Sequence, residues 1–367
     1  MILKTIGKIV LAILLIALAA VLLVLAFLFV YPSVGSTPDK RERERLNQRS
    51  DHFSDGQFRN EHSVAMMDAE PYPSSDRRRP RRLLDAETPS LLIAPREEDL
   101  SFTWLGHSSF LLQLGKITIL VDPVLSGRAS PVGFAGPKRF SRLPLTAEEL
   151  PEIDVLFLSH DHYDHLDYQT IWAIRDKVGA FVVPLGLDTV LTGWGVDAGK
   201  IRSLEWWEST EINGVTFTLT PSQHFTGRNP LRRNITLWGG VYMDNGAHRV
   251  YYTGDGGYYD VFRRVRERLG SPELMLAECG QYDTAWARIH MFPEETVQAG
   301  LDAGAQWVVP VHWGSFCICN HAWDDSIRRV VSAAEAAGLP LATPRIGQTV
   351  ELADIASCTE HWWEAYE

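Results

Sequence analysis

Three histidines and two aspartates fall within six residues, His160-Asp161-His162-Tyr163-Asp164-His165. An ordinary core does not absorb that many polar groups, because each needs a partner once it leaves water. A divalent metal is such a partner: imidazole nitrogens and carboxylate oxygens are the donors preferred by Zn2+ and its first-row neighbours. His160 and His162 can face one ion while Asp164 and His165 face a second. Three more residues extend the set: His224, Asp255 in Thr253-Gly254-Asp255-Gly256-Gly257-Tyr258, and His312 in His312-Trp313-Gly314. Taken singly they read as a surface-loop histidine, a turn former and a hydrogen-bonded core histidine. Taken together they complete a seven-donor set.

The elements that must position these donors are short apolar runs. Residues 155–158 (VLFL) form a continuous apolar stretch, expected as a strand buried on both faces, and the histidine cluster follows at once. Further strands are expected at 101–105, 109–114, 116–121 and 179–184, with Gly106-His107 turning between the first two. The second half repeats the pattern at 215–220, 250–253, 273–277 and 307–311, runs that end near His224, at Gly254-Asp255, at Glu278-Cys279-Gly280 and at His312. Helices are expected over 166–177 and 293–303, the latter with Pro293 first and acids in its opening turn. Strands interspersed with helices, with polar residues recurring at strand ends, predict an α/β protein whose site is assembled from loops on one edge.

HxHxDH after an apolar strand, then separate His, Asp and His at later strand ends, resembles the metallo-β-lactamase superfamily. Within it, Trp104-Leu105-Gly106-His107, Asp122-Pro123, Tyr163-Asp164-His165-Leu166-Asp167, Pro221-Ser222-Gln223-His224, His290-Met291-Phe292-Pro293 and His312-Trp313-Gly314-Ser315-Phe316 resemble the N-acyl-phosphatidylethanolamine-hydrolysing phospholipase D group and its bacterial relatives. The resemblance spans residues 101–348 and implies a four-layer αβ/βα sandwich. It implies two divalent ions, Zn2+ being expected: His160, His162 and His224 on the first, Asp164, His165 and His312 on the second, and Asp255 bridging. Such a pair shares and acidifies a water. Asp164 is expected also to orient that water or receive its proton, and His290 to contact substrate or leaving group. His107 is expected to support a ligand, and Tyr163 either to face substrate or to pack. Acyl-chain recognition would be written in loops 126–144 and 228–234.

Residues 9–30 carry no charged or amide side chain, and a helix of that length spans roughly 30 Å, the thickness of a bilayer core. A single-pass anchor is expected. A cleaved signal peptide is the alternative, although the apolar run exceeds the usual length and Val34-Gly35-Ser36 is the best small-residue site after it. Residues 31–96 read as a polar linker and lead-in, with local order at 53–60, and 97–355 as the catalytic domain. The basic run Arg77 to Arg82 is either a solvated charge cluster or a contact for anionic headgroups. Lys4 and Lys8 before the anchor and Lys40, Arg41, Arg43, Arg45 and Arg49 after it pull its orientation in opposite directions, so the side of the domain stays open.

A formal net charge of -11 argues against a nucleic-acid-coating protein. Four cysteines, Cys279, Cys317, Cys319 and Cys358, do not make a disulfide framework. The leading expectation is a metal-dependent phosphodiesterase acting on membrane phospholipid. A lactonase or small-phosphoester hydrolase of the same superfamily is the alternative, since a shared fold does not fix substrate. A non-catalytic, metal-stabilised membrane protein is a third reading, disfavoured because structural zinc sites are usually closed and four-coordinate.

Overall fold

A computed structural model describes residues 2–64, 69–90 and 95–366; the lead-in residues 65–68 and 91–94 lie outside it. The chain opens with α1 (Ile2–Val30) and α2 (Lys40–Arg49), followed by a small hairpin of β1 (Phe53–Ser54) and β2 (Gln57–Phe58). Then come β3 (Leu100–Gly106), β4 (Ser109–Leu114), β5 (Ile117–Val121), β6 (Ile153–Phe157), α3 (Tyr168–Ile174), β7 (Val178–Pro184), α4 (Leu187–Gly193) and β8 (Ile201–Leu204). The second half holds β9 (Ser209–Ile212), β10 (Val215–Thr220), β11 (Gly240–Asp244), β12 (Arg249–Tyr252), α5 (Val261–Leu269) and β13 (Leu274–Glu278). The chain ends with α6 (Pro293–Ala303), β14 (Trp307–Val311), α7 (Asp325–Ala337) and β15 (Thr349–Glu351).

Two sheets result, ordered β15-β3-β4-β5-β6-β7-β8 and β14-β13-β12-β11-β10-β9. Side chains alternate across the first sheet as the strand repeat requires. Phe110, Leu112, Ile119, Val121, Val155 and Phe157 share one core with Phe217, Leu219, Val241 and Met243 of the second sheet. Leu111, Leu120 and Leu156 point the other way and pack with Ile171 and Ile174 of α3 and Val190 and Leu191 of α4. Val265 of α5, Val297 of α6 and Val330 of α7 cover the outer face of the second sheet. This is the expected four-layer sandwich, the metallo-β-lactamase fold. Strands β5, β6, β7 and β8 run parallel, as do β12, β13 and β14. Their carboxyl ends therefore open on one edge, the place where open α/β sheets bind ligands.

The lead-in is more structured than its polar composition suggests. Asp39 caps α2 by accepting from the Glu42 N–H, and Leu46 is fully buried. Asp55-Gly56 turns the β1–β2 hairpin with positive φ at both residues, the geometry that Asp-Gly favours. Phe53 and Phe58 pack across that hairpin with tilted rings 4.7 Å apart and are buried. Arg77 pairs with Asp324 at 2.8 Å and Arg82 with Asp85 at 3.0 Å, so two of the basic run's side chains have partners within the fold. The four cysteines are buried free thiols.

Helix α1 is long and apolar enough to cross a bilayer, and residues 4–26 of it are exposed throughout. Its foot, in contrast, is tied down. Asn229 Nδ2 donates to Leu28 O at 2.9 Å, Trp194 Nε1 to Pro32 O at 2.7 Å, and the Arg228 guanidinium to Ser33 O at 2.6 Å and 3.1 Å.

Because the inter-sheet core carries the fold, Phe217→Ala is expected to destabilise the chain by about 3–5 kcal/mol. Leu301→Ala, on the half-exposed side of α6, is expected to change it by under about 0.5 kcal/mol. Urea unfolding of the full chain in detergent, followed by tryptophan fluorescence, checks both.

Candidate metal centre

Each candidate donor sits just past a strand. The loop after β6 is pinned from behind: Asp161 accepts from Gly227 N at 2.9 Å and Thr236 Oγ1 at 3.2 Å, and Arg228 donates to the Asp161 and Leu166 carbonyls at 2.9 and 2.5 Å. His162 O receives the N–H groups of His165 and Leu166, closing a tight turn. His224 follows β10, Asp255 follows β12 and His312 follows β14. At Gly254 φ is +61, and a Cβ there would lie 2.6 Å from Gly239 O, so only glycine lets the chain turn toward Asp255.

The structure brings all seven together. His162 Nδ1 lies 2.9 Å from His160 Nε2 and 3.2 Å from His224 Nε2. Donors sharing one tetrahedral ion at Zn–N distances would sit roughly 3.3 Å apart. Asp164 Oδ2 lies 3.5 Å from His165 Nε2 and 3.3 Å from His312 Nε2. Asp255 Oδ2 stands between the two groups, 3.1 and 3.2 Å from the Nε2 atoms of His165 and His312, and 3.8 and 3.9 Å from those of His160 and His224. Asp255 Oδ1 and His165 Nε2 are buried without a hydrogen-bond partner, which a cation would supply. Soft imidazoles, two carboxylates and orphaned buried donors fit one or more divalent ions.

His107 is fully buried beside this group, its Nε2 2.9 Å from Asp164 Oδ2. The ring of His290 stacks on His312 at 5.2 Å, and its Nδ1 is 3.2 Å from Glu278 Oε2. Tyr163 is placed apart from them: its hydroxyl donates to Arg228 O at 3.0 Å, and its ring lies under the Arg228 guanidinium.

Two buried acids escaped the sequence reading. Asp122, past β5, accepts from Ser159 N at 2.7 Å, Ser159 Oγ at 2.5 Å, Tyr252 OH at 2.7 Å and His165 Nδ1 at 2.8 Å. It fixes which nitrogen of His165 faces Asp255. Glu278, the last residue of β13, accepts from Met291 N at 2.9 Å and lies 3.4 Å from His312 Nδ1. Both obey the strand-end rule that picked out the histidines; Asp122-Pro123 and Glu278-Cys279-Gly280 carried the signal, without a histidine to draw attention. The backbone is strained here as well: His107, Asp122 and His312 have φ of 55, 39 and 68. Such conformations cost on the order of 1–3 kcal/mol each and persist where the surroundings over-determine them.

The electrostatics divide the imidazoles. Burial, with the neighbouring His165 and His162, pushes His160 well below its ordinary pKa; burial and His162 do the same to His224. Burial and His312 push His107 down to about 4. Burial also opposes charge on His165 and His312, but the adjacent Asp255 and Asp164 carboxylates outweigh it, raising His165 well above the usual range and His312 to about 10. Asp164 and Asp255 are held well below the usual carboxylate range, the pull of His165 overcoming their burial. Two buried anions thus demand two positive charges.

A family model for the beta-lactamase superfamily domain matches residues 118–313. The chain belongs to the metallo-β-lactamase superfamily. It is 41% identical over 256 residues to an uncharacterized protein of Mycobacterium tuberculosis, covering 69% of this chain and 68% of that one. It is 36% identical over 233 residues to N-acyl-phosphatidylethanolamine-hydrolyzing phospholipase D 1 of Caenorhabditis elegans, covering 60% of this chain and 65% of that one. Among solved structures, the metallo hydrolase Igni18 of Ignicoccus hospitalis superposes with a TM-score of 0.54 over 69% of this chain and 98% of its own, at 18% identity, a likeness of fold. As a member of this superfamily the chain is a metal-dependent hydrolase.

Asp122→Asn removes the charge that receives His165 and replaces one acceptor oxygen with a donor facing donors. Metal retention after dialysis, measured by elemental analysis, is expected to fall, with affinity weakened about 10–100-fold while circular dichroism stays native.

Proposed function

We propose that this chain is a membrane-anchored phosphodiesterase of the phospholipase D kind, acting on N-acyl-phosphatidylethanolamine or a closely similar phospholipid. The observation that carries this reading is the pocket over the donor set. Phe225, Trp286, Ile289 and Ile318 wall it, while His162, Asp164, Asp255 and His312 form its floor, and it encloses about 190 Å³. That is smaller than a drug-sized site. It suits the phosphodiester and the start of an acyl or acylamide chain, with the remaining lipid left in the membrane. The similarity to the nematode phospholipase D adds support.

In this reading His160, His162 and His224 would hold one divalent ion, Asp164, His165 and His312 a second, with Asp255 available to both. Ions held there supply Lewis acidity and a water acidified toward neutral pH, zinc being the expected metal. The chain's own groups do the rest. Asp164, whose Oδ2 lies 2.9 Å from His107 Nε2, would orient the attacking water. His290 has Nδ1 facing Glu278, which leaves Nε2 for the leaving-group oxygen once the phosphorus–oxygen bond to the N-acylethanolamine breaks. The apolar walls keep bulk water from the floor.

The anchor reading for α1 is supported by its foot. Cleavage at Val34-Gly35-Ser36 would take away Pro32 and Ser33, whose carbonyls accept from Trp194 and from the buried guanidinium of Arg228. Arg228 would keep its bonds to Asp161 and Leu166 but lose those to Ser33, and a buried donor left unsatisfied costs about 1–3 kcal/mol.

The full chain in vesicles containing N-acyl-phosphatidylethanolamine is expected to release phosphatidic acid and N-acylethanolamine, identified by mass spectrometry. His162→Ala is expected to lose at least about 100-fold in rate, more than is lost when a supporting partner is removed. Opening of acyl lactones or cleavage of small phosphodiesters, with no release of phosphatidic acid, would move the substrate to the alternative class.

A further inference from the structure

Neither of the two loops singled out for substrate recognition, 126–144 and 228–234, lines the pocket over the donor set, whose walls come from Phe225, Trp286, Ile289 and Ile318. Residues 126–138 form a closed loop at the foot of α1. Its stem is fixed by Ala129 N donating to Pro137 O at 3.1 Å and Arg139 N to Gly127 O at 3.0 Å. Arg128 holds the turn from inside, donating to Gly133 O at 3.0 Å and Gly136 O at 2.6 Å. At Gly136 φ is +89 and a Cβ would lie 2.6 Å from that of Ser130, so the turn is built around glycine. Between this loop and the anchor foot lies a cleft of about 430 Å³, lined by Tyr31, Ser33, Arg128, Lys138 and Asp167 among others. Asp167 is spent internally, its Oδ2 accepting from Ser126 Oγ at 2.6 Å and Thr170 Oγ1 at 2.5 Å.

Three observations fix what chemistry the cleft meets. Tyr31 directly follows the last residue of α1, so when α1 spans a bilayer the cleft sits at headgroup depth. The two loops beside the foot, 126–138 and 225–234, contain no acid and, apart from the buried Arg228, carry Arg128, Lys138, Arg232 and Arg233 at least partly exposed, in a chain of net charge -11. Both loops also expose a large apolar side chain, Phe134 at 84% and Leu231 at 61%, as residues entering an interface do. Arg232 lies over the ring of Phe29, in the helix's last turn, and Arg233 over Phe225 at the pocket wall. The cationic collar thus runs from the anchor to the mouth of the metal site.

We infer that the cleft between the anchor foot and loop 126–138 binds the phosphate of an anionic phospholipid headgroup, separately from the substrate pocket, and so sets the domain's pose on the membrane. This rests on the anchor reading of α1 but not on the identity of the substrate. Arg128 is committed to the loop carbonyls and shapes the cleft, while Lys138 is exposed and forms none of the hydrogen bonds or ion pairs found among the described residues, which leaves it for the phosphate.

Full-length protein, delipidated in neutral detergent, would be titrated with dioctanoyl phosphatidylglycerol, dioctanoyl phosphatidylcholine and inorganic phosphate, with binding read by native mass spectrometry. The anionic lipid is expected to bind at least about tenfold tighter than the zwitterionic one, and Lys138→Gln to weaken it about fivefold. Lys138→Glu is expected to weaken it further, with unchanged metal content as the control for folding. Equal affinity for the two lipids, or no change in either variant, would overturn the site. Inorganic phosphate binding as tightly as phosphatidylglycerol and displacing it would overturn the lipid assignment. Alkaline carbonate extraction of the same protein from membranes reports the anchor by itself: release into the soluble fraction sinks the anchor reading whatever the lipid titration shows.

Discussion

Taking a carboxylate out of water costs several kcal/mol even after the protein relaxes, and Asp255 is buried to 3% exposure. It is tolerated because four imidazole nitrogens surround one of its oxygens at 3.1 to 3.9 Å. Those imidazoles come from three separate loops: His160 and His165 from the one after β6, His224 from the one after β10 and His312 from the one after β14. The whole sandwich is therefore organised around compensating this one charge and that of Asp164. Without an ion, compensation falls to protons on His165 and His312; with ions it falls to metal. The same demand explains the acids behind the histidines. Asp122 and Glu278 each take the far nitrogen of a donor ring, fixing the face it presents.

Rigidity behind the site comes from the loop 225–236 and the foot of α1. Arg228 ties three stretches together, since one guanidinium donates to Ser33, Asp161 and Leu166. The residue that holds the loop after β6 is thus also the residue that holds the foot of α1. Stacked indoles support His312 from the other side: Trp313 lies 5.2 Å from Trp104 and 5.4 Å from Trp362, so the C-terminal residues also brace the donor strand. The long apolar helix and the candidate metal centre are joined here through hydrogen bonds at residues 28–33.

Much of this was legible in the sequence because donors and strand ends are adjacent in the chain. Apolar runs at 109–114, 215–220 and 307–311 coincide with β4, β10 and β14, and the seven donors fall in the loops that follow strands. Strands β8, β9 and β15 escaped because they are short and half-exposed, so neither alternation nor a continuous apolar run marks them; β11 is buried, but its apolar run is only Val241-Tyr242-Met243, opened by glycine and closed by Asp244. Helix α2 escaped for another reason: its stretch KRERERLNQR has one buried apolar residue, Leu46, and its order comes from the Asp39 cap and from Arg45 bonding Asp188, a partner distant in sequence. Asp122 and Glu278 were missed because a lone acid at a strand end looks like a turn residue until the histidine it serves is placed beside it. The role of Arg228 was beyond reach, since it depends on the fold bringing residues 33, 161 and 228 together.

The central claim is that these seven side chains form one shared two-ion centre. Anomalous scattering at the metal edge, from crystals of the full chain, tests it most directly. Two peaks are expected, one among His160, His162 and His224, the other among Asp164, His165 and His312, with Asp255 between them. A single peak closed off by four protein donors, or none after reconstitution with zinc, iron or manganese, would contradict it.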